Sequence, residues 1–152
     1  MPGHDPKHWL HRLTAQEWLR AAMRELAAAR ASFTQHSARP ALASARRAAG
    51  MGWNAVLALD AEPDPAFGRT YVDHLRALAE GPPLVSGLDA SPIPLEVQAA
   101  ARALMEDPVA QRRDVVTILT PRRDDRLIAA AETIAAEAYA RVLRRDGRPS
   151  DR

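Results

Sequence analysis

The sequence predicts an all-α fold, a single bundle of five to six helices in one domain spanning residues 1–152. Three observations carry this. A small polar residue followed by proline recurs as Asp5-Pro6, Asp64-Pro65, Asp107-Pro108 and Thr120-Pro121. Such a pair opens a helix, because the side-chain oxygen accepts from free N–H groups of the first turn and proline loses nothing at the first helical position. Apolar residues then recur at spacings of three and four. No stretch alternates with period two, and Val, Ile and Thr cluster only at Val115 to Ile118.

The first long helix is expected over Ala15 to Thr34, where Thr14 and Glu17 have the form of a capping box. Trp18, Ala22, Leu26, Ala29 and Phe33 make its inner stripe, widened by Leu19 and Met23. The second runs from Pro40 to about Leu59, with Leu42, Ala45, Ala49, Trp53, Val56 and Leu57 inward. Gly50 and Gly52 inside it cost about 1 kcal/mol each relative to Ala and point to another helix passing close by. Asn54 lies near that stripe and needs a partner once buried. A third helix is expected from about Pro65 to Glu80, with Tyr71, Val72, Leu75 and Leu78 inward and Gly81 ending it.

Residues 81–94 hold four prolines and two glycines and form an irregular Pro-rich loop. Leu84, Val85, Leu88 and Ile93 lay it on the bundle, so no domain boundary falls there. Helices follow over Pro94–Met105, Pro108–Leu119 and Pro121 to about Arg145. The last buries Leu127, Ile128, Ala131, Ile134, Ala135, Ala138, Val142 and Leu143, with Arg141, Arg144 and Arg145 against the negative end of its dipole. Gly147 stops it. A short N-terminal helix begins near Pro6, and the ends fray at about 1–5 and 146–152.

Composition excludes several function classes. With no Cys, the chain has no disulfide scaffold, thiol nucleophile or Cys-based metal site. No apolar run is long enough for a membrane span or a signal peptide, so a soluble, cytoplasmic protein without membrane contact is expected. Of the 21 basic residues all but Lys7 are Arg, and the net charge of +2 makes no strong field. Segments 1–60, 61–107 and 108–152 carry +4, −5 and +3, a polarity that favours packing between segments or subunits. The densest basic cluster, Arg112, Arg113, Arg122, Arg123 and Arg126, is the candidate phosphate or nucleic-acid site. Asp114, Asp124 and Asp125 offset its field.

No phosphate loop, nucleophile elbow or Glu-x-x-His pair is present, and no cofactor is expected. His4, His8 and His11 crowd the N-terminus, with His8 and His11 one helical turn apart. No carboxylate besides Asp5 lies nearby to complete a site, so no metal is assigned.

Three segments read together carry a family resemblance. Thr14–Arg30 (TAQEWLRAAMRELAAAR) resembles the opening helix of HEPN domains, small helical bundles named for higher eukaryotes and prokaryotes nucleotide binding. Residues 43–57 (ASARRAAGMGWNAVL) are similar to their second helix, and 131–143 (AETIAAEAYARVL) to their closing one. The resemblance implies a helical bundle that dimerises. In HEPN domains that are ribonucleases it implies an Arg-x4–6-His pair, with Arg on phosphate and His in acid–base chemistry. Arg69 and His74 have the x4 spacing, and Arg30 and His36 the x5 spacing. In so Arg-rich a chain such spacings arise by chance, and neither pair stands at the start of the last helix.

The leading expectation is therefore a non-catalytic helical binding and dimerisation module of HEPN-like type, a homodimer that takes a protein partner or RNA. One alternative is a metal-independent ribonuclease using Arg69 and His74. Another is a small-ligand binder with a pocket under the apolar loop 84–93, walled by Trp53 or Tyr71.

Overall fold

The computed structural model describes residues 9–34, 38–59, 65–81, 92–106 and 121–146. Among them are five α-helices, two short 3-10 turns and no strand, so the chain is an all-α bundle. The helices are α1 (Ala15–Thr34), α2 (Ala38–Leu57), α3 (Tyr71–Glu80), α4 (Leu95–Met105) and α5 (Pro121–Asp146). The 3-10 turns are Trp9–Arg12 and Pro65–Phe67. The expected helix at 108–119 and most of the Pro-rich loop lie outside the described residues.

Helix starts follow from local chemistry. The Thr14 hydroxyl accepts from the Glu17 N–H at 3.1 Å, and the Glu17 carboxylate accepts from the Thr14 N–H at 3.1 Å. These bonds to Thr14 hold the Glu17 carboxyl below its usual range. α2 starts two residues before Pro40, which is tolerated because first-turn N–H groups have no intrahelical acceptor. The third helix does not start at Pro65. A 3-10 turn over Pro65–Phe67 ends at Gly68, whose φ of +63° breaks the helix. Thr70 and Asp73 then form a second capping box, and α3 begins at Tyr71.

The core gathers where α2, α4 and α1 pack on α5, with α3 seated between α2 and α4. Leu26, Trp53, Phe67, Leu75, Leu78, Leu104, Ile134 and Val142 are its large members. Ala45, Ala48, Ala49, Ala131 and Ala138 have no exposed surface, so the backbones approach closely. Both glycines of α2 stand at helix crossings, as expected. A Cβ on Gly52 would rest 3.5 Å from Ala135 Cα of α5, an ordinary contact. A Cβ on Gly50 would fall inside the Tyr71 ring of α3.

Arginines tie the helix ends together. Arg46 donates to the Leu104 carbonyl at 2.6 Å, and Arg102 to the Ala79 carbonyl at 2.9 Å, meeting C-terminal groups that α4 and α3 leave unbonded. Several expected inner positions face out instead. Met23, Val72 and Leu143 are 56%, 48% and 50% exposed. In each case the buried stripe is narrower than the apolar one. On α1 it comprises Leu19, Ala21, Ala22, Leu26 and Ala29.

Candidate functional site

The chemistry-bearing residues distribute between a polar cluster in the core and an apolar groove on the surface. The core cluster begins with His74. As the fourth residue of α3 it lies on the face turned toward α2, and its side chain has no exposed surface. Nδ1 is 2.6 Å from the Phe67 carbonyl oxygen, and Nε2 is 2.6 Å from Asn54 Oδ1. Trp9 stacks on the ring at 6.3 Å, and Tyr71 meets it edge-on at 6.5 Å. Burial pushes the imidazole below its ordinary pKa, against the opposing effects of the Phe67 carbonyl and the Asp73 charge.

Arg69 does not converge with His74. Its side chain is exposed, while its backbone N–H donates to Asp73 Oδ2 at 3.3 Å. The five-residue spacing therefore joins an exposed cation to an enclosed ring whose nitrogens already meet protein oxygens.

Trp53 and Tyr71 stand in different surroundings, and most of the loop expected to cover a pocket beside them lies outside the described residues. Trp53 is 1% exposed and packs its ring on Phe67 at 5.8 Å. The Arg141 guanidinium also lies over the Trp53 ring, 5.6 Å from its centre. Tyr71 is half-buried against Gly50, and burial raises its phenol pKa, with the Glu25 charge acting in the same direction and Arg47 opposing. Of the Pro-rich loop, the described end brings Ile93 into the core and the Pro92 carbonyl to Arg141 at 3.1 Å.

Arg141, expected in the last turn against the negative end of the helix dipole, is 1% exposed. Its Nε donates to the Glu137 carboxylate at 2.9 Å. The charge is enclosed at the junction of α2, α5 and the approach to α4. Helical spacing did place it one residue before Val142, beside the inner stripe, and that position is its only sequence signal.

Arg126 is exposed; Arg112 and Arg113 lie outside the described residues, as do the side chains of Arg122 and Arg123. His11 is half-buried, while His4 and His8 lie outside the described residues. Among the described residues no group of three or more His, Asp or Glu could hold a metal ion, and no helix is long and apolar enough to cross a membrane.

The groove lies between α1 and α5, has a volume of about 660 Å³, and was not anticipated from the sequence. Leu19, Met23 and Leu26 form one wall and Ala135, Tyr139 and Leu143 the other. The Arg30–Glu132 ion pair closes one end, and Arg20 stands toward the other. From that ion pair the lining runs back along α1 and forward along α5, so the two helices are antiparallel. Met23, Tyr139 and Leu143, exposed by 56%, 55% and 50%, all open into it.

No protein-family model, curated protein or solved structure matches the chain.

Proposed function

We propose that the protein is a non-catalytic helical association module that docks a second copy of itself on the α1/α5 groove. One observation carries this reading: three of the six large hydrophobic side chains left exposed among the described residues line this one groove. Scattered exposed apolar residues need no explanation, but a contiguous set between two helices marks an interface.

The dimensions suit a protein surface. A 20-residue helix is about 30 Å long and packed helices lie about 8–10 Å apart, so the strip between the two axes offers roughly 300 Å². A standard interface takes about 800 Å² from each partner, so the outer flanks of both helices must join the contact, and a smaller one is weak and concentration-dependent. Charge at the rim is low and mixed, since Arg30 is already paired with Glu132. That favours an apolar helical face over the phosphates of RNA, which require unopposed cations. The occupant with a matching apolar groove of equal length is the same chain, joined by a two-fold axis that buries both grooves at once. The HEPN-like helical texture supports the same direction, because those domains often dimerise.

The test is size-exclusion chromatography of the purified chain beside Met23→Glu and Tyr139→Glu. The unmodified chain elutes as two copies, and each variant elutes as one with its helical circular dichroism intact. Identical elution of all three would overturn the groove as the docking face.

A further inference from the structure

The α1/α5 groove changes character along its length, and that change selects how two copies can meet. The Arg30–Glu132 pair sets the register of the two antiparallel helices. Met23 stands seven residues before Arg30, and Tyr139 seven after Glu132. Leu19 and Leu143 stand eleven residues away on the same two helices. Steps of seven and eleven are two and three turns, so each pair shares the groove face and one level. Those levels lie about 10 Å and about 16 Å from the ion pair. One end of the groove is therefore charged and the other aliphatic. Three charged residues line it, Arg30 and Glu132 at the first end and the exposed Arg20 near the second.

Two two-fold axes keep a pair of grooves face to face along their whole length, one across the groove and one along it. An axis across turns the second copy end for end. The ion pair then lies on the partner's Leu19 and the partner's Leu143, where it loses water and gains no opposite charge. The same turn runs α1 over the partner's α1 and brings Arg20 close to the partner's Arg30, a like charge. An axis along the groove keeps every level and sets α1 over the partner's α5. Arg30 then faces the partner's Glu132, Met23 faces the partner's Tyr139, and Leu19 faces the partner's Leu143. The two Arg20 residues fall on diagonal helices, about 13 Å apart for helices packed at 8–10 Å. That exceeds the Debye length of about 8 Å at physiological salt.

We propose that the two copies dock with their two-fold axis along the groove, so that Arg30 and Glu132 of both close a ring of four alternating charges. The proposal rests on self-association through this groove and adds the orientation and the residues that select it. Within one chain the two side chains are 51% and 44% exposed, and such a pair contributes little to folding. Its role is recognition. In the ring each charge gains a second opposite neighbour, whereas an apolar face without this pattern leaves both charges unmet.

The experiment is sedimentation equilibrium of the whole chain beside Arg30→Glu, Glu132→Arg, the double exchange of both, and an equimolar mixture of the two single variants. Both positions are half exposed, so each variant keeps its helical circular dichroism. Each single variant sets like charges together around the ring and associates roughly tenfold or more weakly than the unmodified chain. The mixture forms a heterodimer at least as tight as the unmodified homodimer, because one copy brings two carboxylates and the other two guanidiniums. The double exchange dimerises like the unmodified chain. Arg30→Glu that associates as well as the unmodified chain, or better, overturns the arrangement. An axis across the groove gives that result, since it sets the new carboxylate near the partner's Arg20. A mixture no tighter than its two components overturns the arrangement as well. If Met23→Glu still breaks the dimer, those two results leave the groove as the docking face. A single-copy unmodified chain, or a dimer indifferent to Met23→Glu, overturns the groove and the arrangement together.

Discussion

The two sides of α5 reverse the usual relation between polarity and burial. Toward α2 and α4 the helix encloses Arg141 at 1% exposure. Two residues later, on the side toward α1, it leaves Leu143 half exposed. The difference lies in partners. Arg141 has the Glu137 carboxylate, the Pro92 carbonyl and the Trp53 ring to replace water. Leu143 opens into a groove that no further described helix covers. A charge goes inside where its hydrogen bonds are met, and an apolar side chain stays outside where the packing stops. The interior side thus specifies the fold, and the groove side is free to specify an association.

The largest effect that would break this contrast is at Arg141. Arg141→Ala is expected to cost about 3–5 kcal/mol in chemical denaturation, because it strips the guanidinium from a buried cluster. A loss under about 1 kcal/mol would mean that the cluster is solvated like the surface. Next is Gly50→Leu. Its side chain must displace the Tyr71 ring, and overpacking of this kind typically costs about 1–3 kcal/mol. An unchanged melting temperature would remove the close α2–α3 crossing.

The third test uses pH. The His74 pKa is lower in the folded chain than in the unfolded one, so in the acid range the unfolded state binds more protons. Stability is therefore fully present above about 6.5 and falls as the pH drops toward the depressed folded value. One proton gives a slope of at most about 1.4 kcal/mol per pH unit. Urea midpoints measured against pH in the chain and in His74→Gln isolate this contribution. The smallest stability effect belongs to the groove. Met23→Glu adds a charge at a position that faces water in the single chain, and at dilutions where the copies are apart its folding free energy should change by no more than about 0.5 kcal/mol. A large loss there would show that the groove wall belongs to the core.

The same contrast explains what was readable from residues alone. α1 runs from Ala15 to Thr34 as expected, because the Thr14 and Glu17 pair is a local signal that no tertiary contact overrides. The start of α3 was misplaced because Asp64-Pro65 looks as good a cap as any, and the later box at Thr70 and Asp73 took the helix. Asn54 was expected to need a partner, but nothing local identifies His74, 20 residues away, as that partner. Five-residue spacing had paired His74 with Arg69, which burial separates. Met23 and Leu143 belong to genuine helical stripes. Periodicity gives the direction of an apolar face, whereas its coverage depends on which helices meet there, and α1 and α5 leave theirs open.

Self-association through that open face is tested most directly by light scattering of the unmodified chain over a dilution series in the micromolar range. The expected result is a mass twice the 16.6 kDa of one chain, falling toward one chain on dilution. A mass of one chain at every concentration would contradict the account.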